Sequence, residues 1–329
     1  MKFGIVNVIR KSFLSFAALI ICLGMFPMGT VSAKRTFHKN SQKRHIPIAM
    51  ALDDEYLYPT VVSITSMMKN KSKNTVYDYY IMHPHEFSVG SKKQLNSLAK
   101  KYSGCNINLI DMGDAYKSAN SKGHITTPTY YRLSLSELLP KLSKILWIDG
   151  DTLIFRDLSS MYFDTNMDGL YYRGLLDENV NATSAFGIEN DHCICAGVMV
   201  VNLDELRKDN VVVKFQDFIE KNNEKLAQHD QTVINCVCAE KTAKLDPKYC
   251  LFNYLHKRSR LPGYLKKLTA KDKYTIGEIL QALRRPALVH CVVKPWRSRT
   301  KYFKEWWQYA KLTGCYGKIF KKYGSVFKS

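Results

Sequence analysis

The chain of 329 residues has room for one large α/β domain or two smaller ones, each with a full-sized core. Its 46% hydrophobic and 24% charged residues are those of an ordinary globular protein, which excludes wholesale disorder, a collagen-like fibre and a polytopic membrane protein. Lys and Arg outnumber Asp and Glu by 49 to 29, and the resulting +20 suits a polyanion, an anionic membrane surface or a phosphorylated substrate without choosing among them.

At the N-terminus Lys2, Arg10 and Lys11 flank an apolar run from Phe13 to Met28, and Val31-Ser32-Ala33 follows as a small-residue cleavage site. Residues 1–33 therefore read as an export signal or, if uncleaved, an N-terminal anchor. Either way the body is expected outside the cytosol: in a secretory lumen, in a bacterial envelope or secreted, with membrane association an option. Removing those three positive charges leaves +17, so the basic character belongs to the folded part. Residues 34–45 are basic and polar and read as a stem. Of nine Cys, only Cys22 lies in the signal, and an exported body with eight permits disulfides. Cys193 with Cys195 and Cys236 with Cys238 are one residue apart, which is not zinc-site spacing; structural cysteines are expected.

After the stem, Ile46 to Leu52 is a short apolar run ending in Asp53-Asp54. Tyr56 to Met68 follows, with Leu57, Val61, Ile64 and Met68 at helical spacing. The pattern predicts a strand at Tyr77–Met82, a helix at Lys92–Tyr102, a strand at Ile107–Ile110 and a helix near Thr129–Leu138. Such alternation implies an α/β fold, a parallel sheet with helices on both faces. Ile145 to Ile148 is a fully apolar strand whose carboxyl end carries Asp149-Gly150-Asp151, followed by a strand from Thr152 to Phe155. Ligands in such sheets bind beyond the carboxyl ends of strands. Gly150 lets the backbone turn so that both carboxylates face one point, and two hard oxygen ligands favour Mg2+ or Mn2+.

Further on, Ala196 to Leu203 is another apolar strand, in which Gly197 admits a close approach to the backbone. His229-Asp230-Gln231 opens a helix, and Asp230 taken singly reads as its cap. Pro286 to His290 is a last buried strand, followed by Cys291-Val292-Val293-Lys294-Pro295-Trp296. A His and a Lys beside a short turn suit a metal ligand and a phosphate clamp, or a satisfied core histidine.

In combination these segments resemble glycosyltransferase family 8, the retaining group that includes glycogenin, galactinol synthase and bacterial lipopolysaccharide hexosyltransferases. The resemblance runs from about Ile46 to Trp296. It rests on Ala51-Leu52-Asp53-Asp54-Glu55-Tyr56, Thr129-Tyr130-Tyr131-Arg132-Leu133, Trp147 to Asp151, Ala196 to Asn202, His229-Asp230-Gln231 and Lys294-Pro295-Trp296. It implies a GT-A nucleotide-diphospho-sugar transferase fold over residues 46–296, with a mixed central sheet and helices on both faces. It further implies a UDP-hexose donor, Mn2+ with Mg2+ as the alternative, and a glycan or lipid-linked saccharide acceptor. Carried over position by position, Ala51, Asp53 and Tyr56 would hold uracil and ribose. Asp149, Asp151 and His290 would ligate the metal, and Lys294 would meet the diphosphate. Arg132, Asp177, Asp230 and Gln231 would surround the transferred sugar, with Ala196 and Gly197 at its border. Retention by front-face attack or through a covalent intermediate is equally consistent with this set.

Two departures from the family pattern stand out. Cys195 occupies a place where many members carry an Asn that binds the donor sugar, so an altered donor choice is expected. The interval from His290 to Lys294 is also shorter than usual for the family, which leaves open whether both reach one diphosphate. The competing reading is a non-catalytic nucleotide-sugar or glycan binder of the same fold. Nucleic acid is not an expected partner, since neither zinc-finger spacing nor an RNA-binding aromatic motif is present. The last segment, 297–329, is rich in Lys, Arg and aromatic residues, with Glu305 its single acid. It reads either as an interfacial patch for anionic lipid or as a final helix packing Phe303, Trp306 and Tyr309 onto the body. Asn70-Lys71-Ser72 and Asn181-Ala182-Thr183 match the glycan acceptor triplet.

Overall fold

The computed structural model describes residues 42–119, 126–176, 181–188, 193–256, 261–269 and 273–328. The export segment and most of the stem therefore lie outside the described residues. The elements run in chain order as β1 Arg44–Ala51, α1 Leu57–Asn70, β2 Thr75–His83, α2 Val89–Lys101, β3 Cys105–Asp111, α3 Leu135–Leu138, β4 Lys144–Ile148, β5 Thr152–Ile154, α4 Ser159–Phe163 and β6 Tyr172–Leu176. They continue through α5 Asn181–Ser184, β7 Ile194–Asn202, α6 Leu203–Lys208, α7 Val211–Asn222, α8 His229–Val237, β8 Thr242–Lys244, β9 Leu251–Phe252, α9 Leu261–Thr269, α10 Ile276–Arg284, β10 Leu288–His290, α11 Phe303–Leu312 and α12 Tyr316–Tyr323.

Seven strands form the main sheet in the order β3-β2-β1-β4-β7-β6-β8. The half from β3 to β4 is parallel, as strand–helix alternation predicts, and helices cover it, so its central strands are apolar on both faces. Ile46, Ile48 and Met50 of β1 and Ile145 to Ile148 of β4 are buried. β7 then runs antiparallel to both β4 and β6, so the sheet is mixed, as the family resemblance implies, and the parallel pairing read from the alternating elements is confined to the half from β3 to β4. The alternation of elements breaks down after β4, and with it the reason for parallel pairing. β5, β10 and β9 form a separate three-stranded sheet.

Two boundaries move. Arg44 and His45, expected in the stem, already pair with Thr75 and Val76, so the fold starts two residues before Ile46. The helix expected near Thr129–Leu138 is instead a 3-10 stretch, Thr127–Ser134, followed by the single turn of α3. In the 3-10 stretch, with three residues per turn, Thr129 and Arg132 share one face, which meets Asp230 and Asp149.

The segment after Trp296 packs on the body. Trp306 is 1% exposed and its ring lies 5.4 Å from that of Trp296. Trp307, Ala310, Ile319 and Tyr323 are also buried, and Tyr309 Oη lies 2.7 Å from Asn70 Nδ2 at the end of α1. The final-helix reading therefore holds for this segment, which leaves Leu312, Phe320 and Phe327 as its exposed large apolar side chains. The Asn70 amide also lies 3.0 Å from the carbonyls of Ser66 and Ile154, so it is committed to packing and offers no free nitrogen for a glycan. The side chain of Asn181 lies outside the described residues. Among the described residues no helix is long and apolar enough to cross a membrane. The eight body cysteines are all thiols rather than disulfides.

Candidate active site

β1 and β4 are parallel neighbours, but the chain between them goes out through β2 and β3 and returns on the other side of β1. That reversal of strand order opens a crevice at the carboxyl ends, where ligands of open α/β sheets bind. β1 ends in Ala51 and is followed by Leu52 and Asp53, and beyond β4 stand Asp149 to Asp151. β5 leaves the main sheet directly afterwards and pairs with β10, Thr152 opposite His290, and the Cys291 amide donates to the Asp151 carbonyl at 2.8 Å. This pairing carries His290 to Asp151 although 139 positions separate them in the numbering.

Asp151 is buried. His290 Nε2 lies 3.2 Å from its Oδ1, and the Lys294 ammonium pairs with its Oδ2. The short interval between His290 and Lys294 therefore brings both groups onto one carboxylate. Asn253 braces the turn between them: its Nδ2 donates to the Val293 carbonyl at 2.6 Å, and its Oδ1 accepts the Val293 amide at 3.2 Å. Burial alone would raise the Asp151 pKa, yet Lys294 and His290 hold it well below the usual carboxylate range. Burial likewise disfavours the charged forms of His290 and Lys294, and the Asp151 charge overrides it, raising both. Asp149 behaves differently: burial outweighs the nearby Arg132 and raises its carboxyl.

Asp149 is oriented by Trp147, whose Nε1 donates to Oδ1 at 2.7 Å, and by its own amide, which donates to the Gly197 carbonyl at 2.8 Å. Donor atoms of Asp149, Asp151 and His290 all lie within 4.8 Å of one another. Gly197 makes this convergence possible, because a Cβ there would sit 2.3 Å from His290 Cε1 and 2.9 Å from Asp149 Oδ2. Two carboxylates and one imidazole form a hard-to-borderline donor set that fits Mn2+ or Mg2+. Gly150 is small for another reason than the turn expected of it: a Cβ there would lie 2.2 Å from Thr60 Oγ1 of α1.

Arg132, only 5% exposed, ties the two halves of the sheet together. Its Nη1 donates to the Ala196 carbonyl of β7, its Nη2 lies 3.2 Å from Asp149 Oδ1, and its guanidinium stacks 4.4 Å over the Trp147 ring. Asp230 Oδ2 is 2.9 Å from Arg132 Nε, but the Nε hydrogen points to the Thr129 carbonyl at 3.0 Å, so this contact is electrostatic rather than a hydrogen bond. The other Asp230 oxygen accepts from Thr129 Oγ1 at 2.6 Å. Asp230 therefore does not cap α8, as its position at the helix start predicts, because both oxygens are turned to the 3-10 stretch. His229, which opens that helix, has φ +51°, a strained value for a residue with a side chain. Gln231 Oε1 accepts the Ala196 amide at 2.9 Å while its Nε2 donates to Gln228 Oε1 at 2.9 Å. Asp177 lies outside the described residues.

A cleft of about 210 Å³ is lined by Ala51, Asp53, Tyr56, Thr126, Thr129, Arg132, Trp147, Asp149, Asp151 and Lys294, among others. Asp53 Oδ1 accepts the Glu55 and Tyr56 amides, each at 3.1 Å, and its Oδ2 accepts from Thr126 Oγ1 at 2.9 Å. Tyr56 meets Trp296 edge to face at 6.3 Å, and burial raises its phenol pKa. Cys195, Ala196, Gly197, Asp230, Gln231 and His290 do not line this cleft; Ala196, Gly197, Asp230 and His290 touch residues that do, and Cys195 and Gln231 touch His290 and Ala196 in turn. Cys195 Sγ is 3.7 Å from His290 Nδ1. Sequence reasoning gave no role to Trp147, Thr129 or Asn253. The first two lie inside the quoted runs, where a polar atom beside an acidic strand end was the available signal; Asn253 carried none.

The fold and the sequence both point to known relatives. The General stress protein A of Bacillus subtilis is 24% identical over 284 residues, covering 81% of this chain and 93% of that protein. A putative glycosyltransferase of Haemophilus influenzae is 24% identical over 204 residues, 60% of each chain. Among solved structures, the galactosyltransferase LgtC in complex with donor and acceptor sugar analogues superposes with a TM-score of 0.65 at 17% identity, covering 82% of this chain and 95% of that one. The bifunctional glycosyltransferase WbbM gives a TM-score of 0.68 at 18% identity over 84% of this chain, which spans about half (51%) of that protein. These likenesses are those of a GT-A nucleotide-sugar transferase fold. The sequence model described as Glycosyl transferase family 8 matches residues 47–300, the whole stretch from β1 past the turn that carries Lys294, and the chain belongs to that family.

Proposed function

We propose that the chain moves a hexose from a UDP-sugar to a glycan or lipid-linked saccharide acceptor, with retention at the anomeric carbon and dependence on Mn2+, for which Mg2+ substitutes. The observation that carries this reading is the convergence of Asp149, Asp151 and His290, with Lys294 on the Asp151 carboxylate, where Asp149, Asp151 and Lys294 line one cleft with Ala51, Asp53 and Tyr56. In this reading Ala51, Asp53 and Tyr56 hold the nucleoside, and Asp149, Asp151 and His290 hold the ion. A bound divalent ion supplies charge neutralisation at the departing diphosphate. Lys294 is held in place by Asp151 and turns its ammonium to the same oxygens. One such charge pair at about 4 Å and an effective dielectric of about 20 is worth on the order of 4 kcal/mol, roughly a thousandfold in rate if it forms only in the transition state. Arg132 holds Asp149 and Asp230 in place and favours their charged forms against burial, and Gln231, its carboxamide engaged by the Ala196 amide and Gln228, holds Ala196 at the border of the sugar pocket. Exposed Phe320, Phe327 and Leu312 beside Lys318, Lys321 and Lys328 support contact with an anionic membrane that carries a lipid-linked acceptor.

The test is a donor screen. UDP-glucose, UDP-galactose, UDP-xylose and their N-acetyl relatives are incubated with the chain and Mn2+, and UDP release is scored. Release from at least one donor, abolished by EDTA and restored by Mn2+, is expected. Full release in EDTA would remove the metal from the mechanism. Binding of UDP-sugars without release, to water or to any acceptor offered, would make the chain a nucleotide-sugar binder, the reading favoured by a thiol at Cys195 where an amide is usual.

A further inference from the structure

His290 has two occupied sides. Its Nε2 faces Asp151 at 3.2 Å, and its Nδ1 faces Cys195 Sγ at 3.7 Å. A second thiol lies close by: ligand atoms of Cys195, Cys250 and His290 all lie within 4.8 Å of one another, and all three residues are buried. The topology explains why. Phe252 of β9 pairs in register with His290 of β10, and Cys250 ends the 3-10 turn Pro247–Tyr249 directly before β9, which brings its thiol close to the imidazole. β7 brings Cys195 from the main sheet, next to the Gly197 that leaves room for the imidazole.

We propose that Cys195, Cys250 and His290 Nδ1 form a second metal site, distinct from the carboxylate site, that takes a thiophilic divalent ion, Zn2+. Thiolate ligands select zinc over manganese, and two Cys with one His and a water complete a tetrahedral zinc shell. On binding, each thiol and the His290 Nδ1–H give a proton to solvent, leaving two thiolates and a neutral imidazole; the two thiolates balance the ion's two charges, so the buried cluster is neutral. The second partner of the ring is already in place: metal-ligating histidines characteristically donate their other N–H to a carboxylate, and here that carboxylate is Asp151. This arrangement makes the two sites compete. With Nδ1 on zinc, the ring proton sits on Nε2 and donates to Asp151, so His290 has no lone pair left for an ion between Asp149 and Asp151. Zinc is therefore an inhibitor of transfer. The zinc site stands without the transferase reading; only its inhibitory consequence rests on that reading.

The full chain, kept reduced with a phosphine, is titrated with Co2+ as a spectroscopic substitute for Zn2+. A sulfur-to-cobalt charge-transfer band in the near ultraviolet is expected to saturate at one equivalent and to disappear when Zn2+ is added. Cys250→Ala should weaken cobalt binding at least tenfold, while Asp149→Asn should leave the band in place. A spectrum without the charge-transfer band, or one that survives Cys250→Ala, would overturn the site. So would recovery of Cys195 and Cys250 from the untreated protein as a disulfide that a phosphine cannot open. In UDP-release assays with Mn2+ present, Zn2+ should lower wild-type turnover at least tenfold and Cys250→Ala turnover much less. Equal inhibition of both proteins would overturn the competition between the sites, whatever the cobalt spectrum shows.

Discussion

In the parallel half of the sheet, site residues come after the last paired residue: Asp53 and Tyr56 beyond β1, Asp149 and Asp151 beyond β4. In the antiparallel half and the small sheet they come from within strands, Cys195, Ala196 and Gly197 in β7 and His290 in β10. Loop residues beyond a strand end are free to be polar, and their side chains reach the cleft directly. Strand residues are packed on both sides, so they act through what they support: Gly197 by leaving a space, Ala196 by its backbone groups, Cys195 by touching His290. Arg132 is the strut between the two halves, with one contact on β7 and others on Asp149 and Asp230.

Breaking that strut should have the largest effect. Arg132→Met leaves buried Asp230 and half-buried Asp149 without their cation and should lower unfolding free energy by about 3–5 kcal/mol, measured by urea denaturation. Adding Asp230→Asn should recover part of the loss; a single variant as stable as wild type would mean the halves are held by packing alone. On the parallel side, Asp151→Asn should keep the fold and lose at least about a hundredfold in turnover, near 2.7 kcal/mol of transition-state stabilisation. Wild-type turnover would move the metal elsewhere. On the antiparallel side, Gly197→Ala should displace His290 or Asp149 at an overpacking cost of about 1–3 kcal/mol, seen as a tenfold or greater weakening of Mn2+ binding by calorimetry. Gly317→Ala, where an added Cβ meets nothing within 4 Å, is the matched control and should bind as wild type does.

The smallest effect is expected far from the cleft. Asp209 is held by Lys241 at 2.5 Å and by the Tyr171 hydroxyl, and these hydrogen bonds lower its pKa from 3.8 to about 2. A depressed carboxylate contributes stability above its ordinary pKa and loses it as pH falls toward the folded value. Asp209→Asn should therefore unfold more easily than wild type near neutral pH, and the gap between their denaturation midpoints should close as pH falls from 4 to 2. A gap independent of pH would assign the contribution to packing.

The parallel half was legible because β1 from Ile46 and β4 from Ile145 are apolar runs and β1 and β2 are each followed by a helix, so local pattern and tertiary role agree. Ile46 to Leu52 and Ile145 to Ile148 could hardly be anything else. Beyond β4 that agreement ends. β8 and β9 are short, and α6 and α7 follow one another without a strand between; already before β4, Thr127–Ser134 is wound as a 3-10 stretch where the pattern predicts an α-helix. Asp230 shows the same limit within the site. Its place at a helix start predicts a cap, but a buried arginine and Thr129 compete for the carboxylate and win, since an unpaired buried cation would cost more than an uncapped helix end.

The sequence by itself determined the strand ends, the acidic triplet after Trp147-Ile148 and the family pattern, because these depend on residue type and local period. The pairing of β5 with β10 was decided only in three dimensions, and it sets His290 and Lys294 against Asp151. So was the position of Gly197 beneath His290 and Asp149, and the meeting of Cys195 with Cys250. Each of these contacts joins residues far apart in the chain, and its energy comes from excluded volume and charge in a buried space that exists only once both sheets have formed.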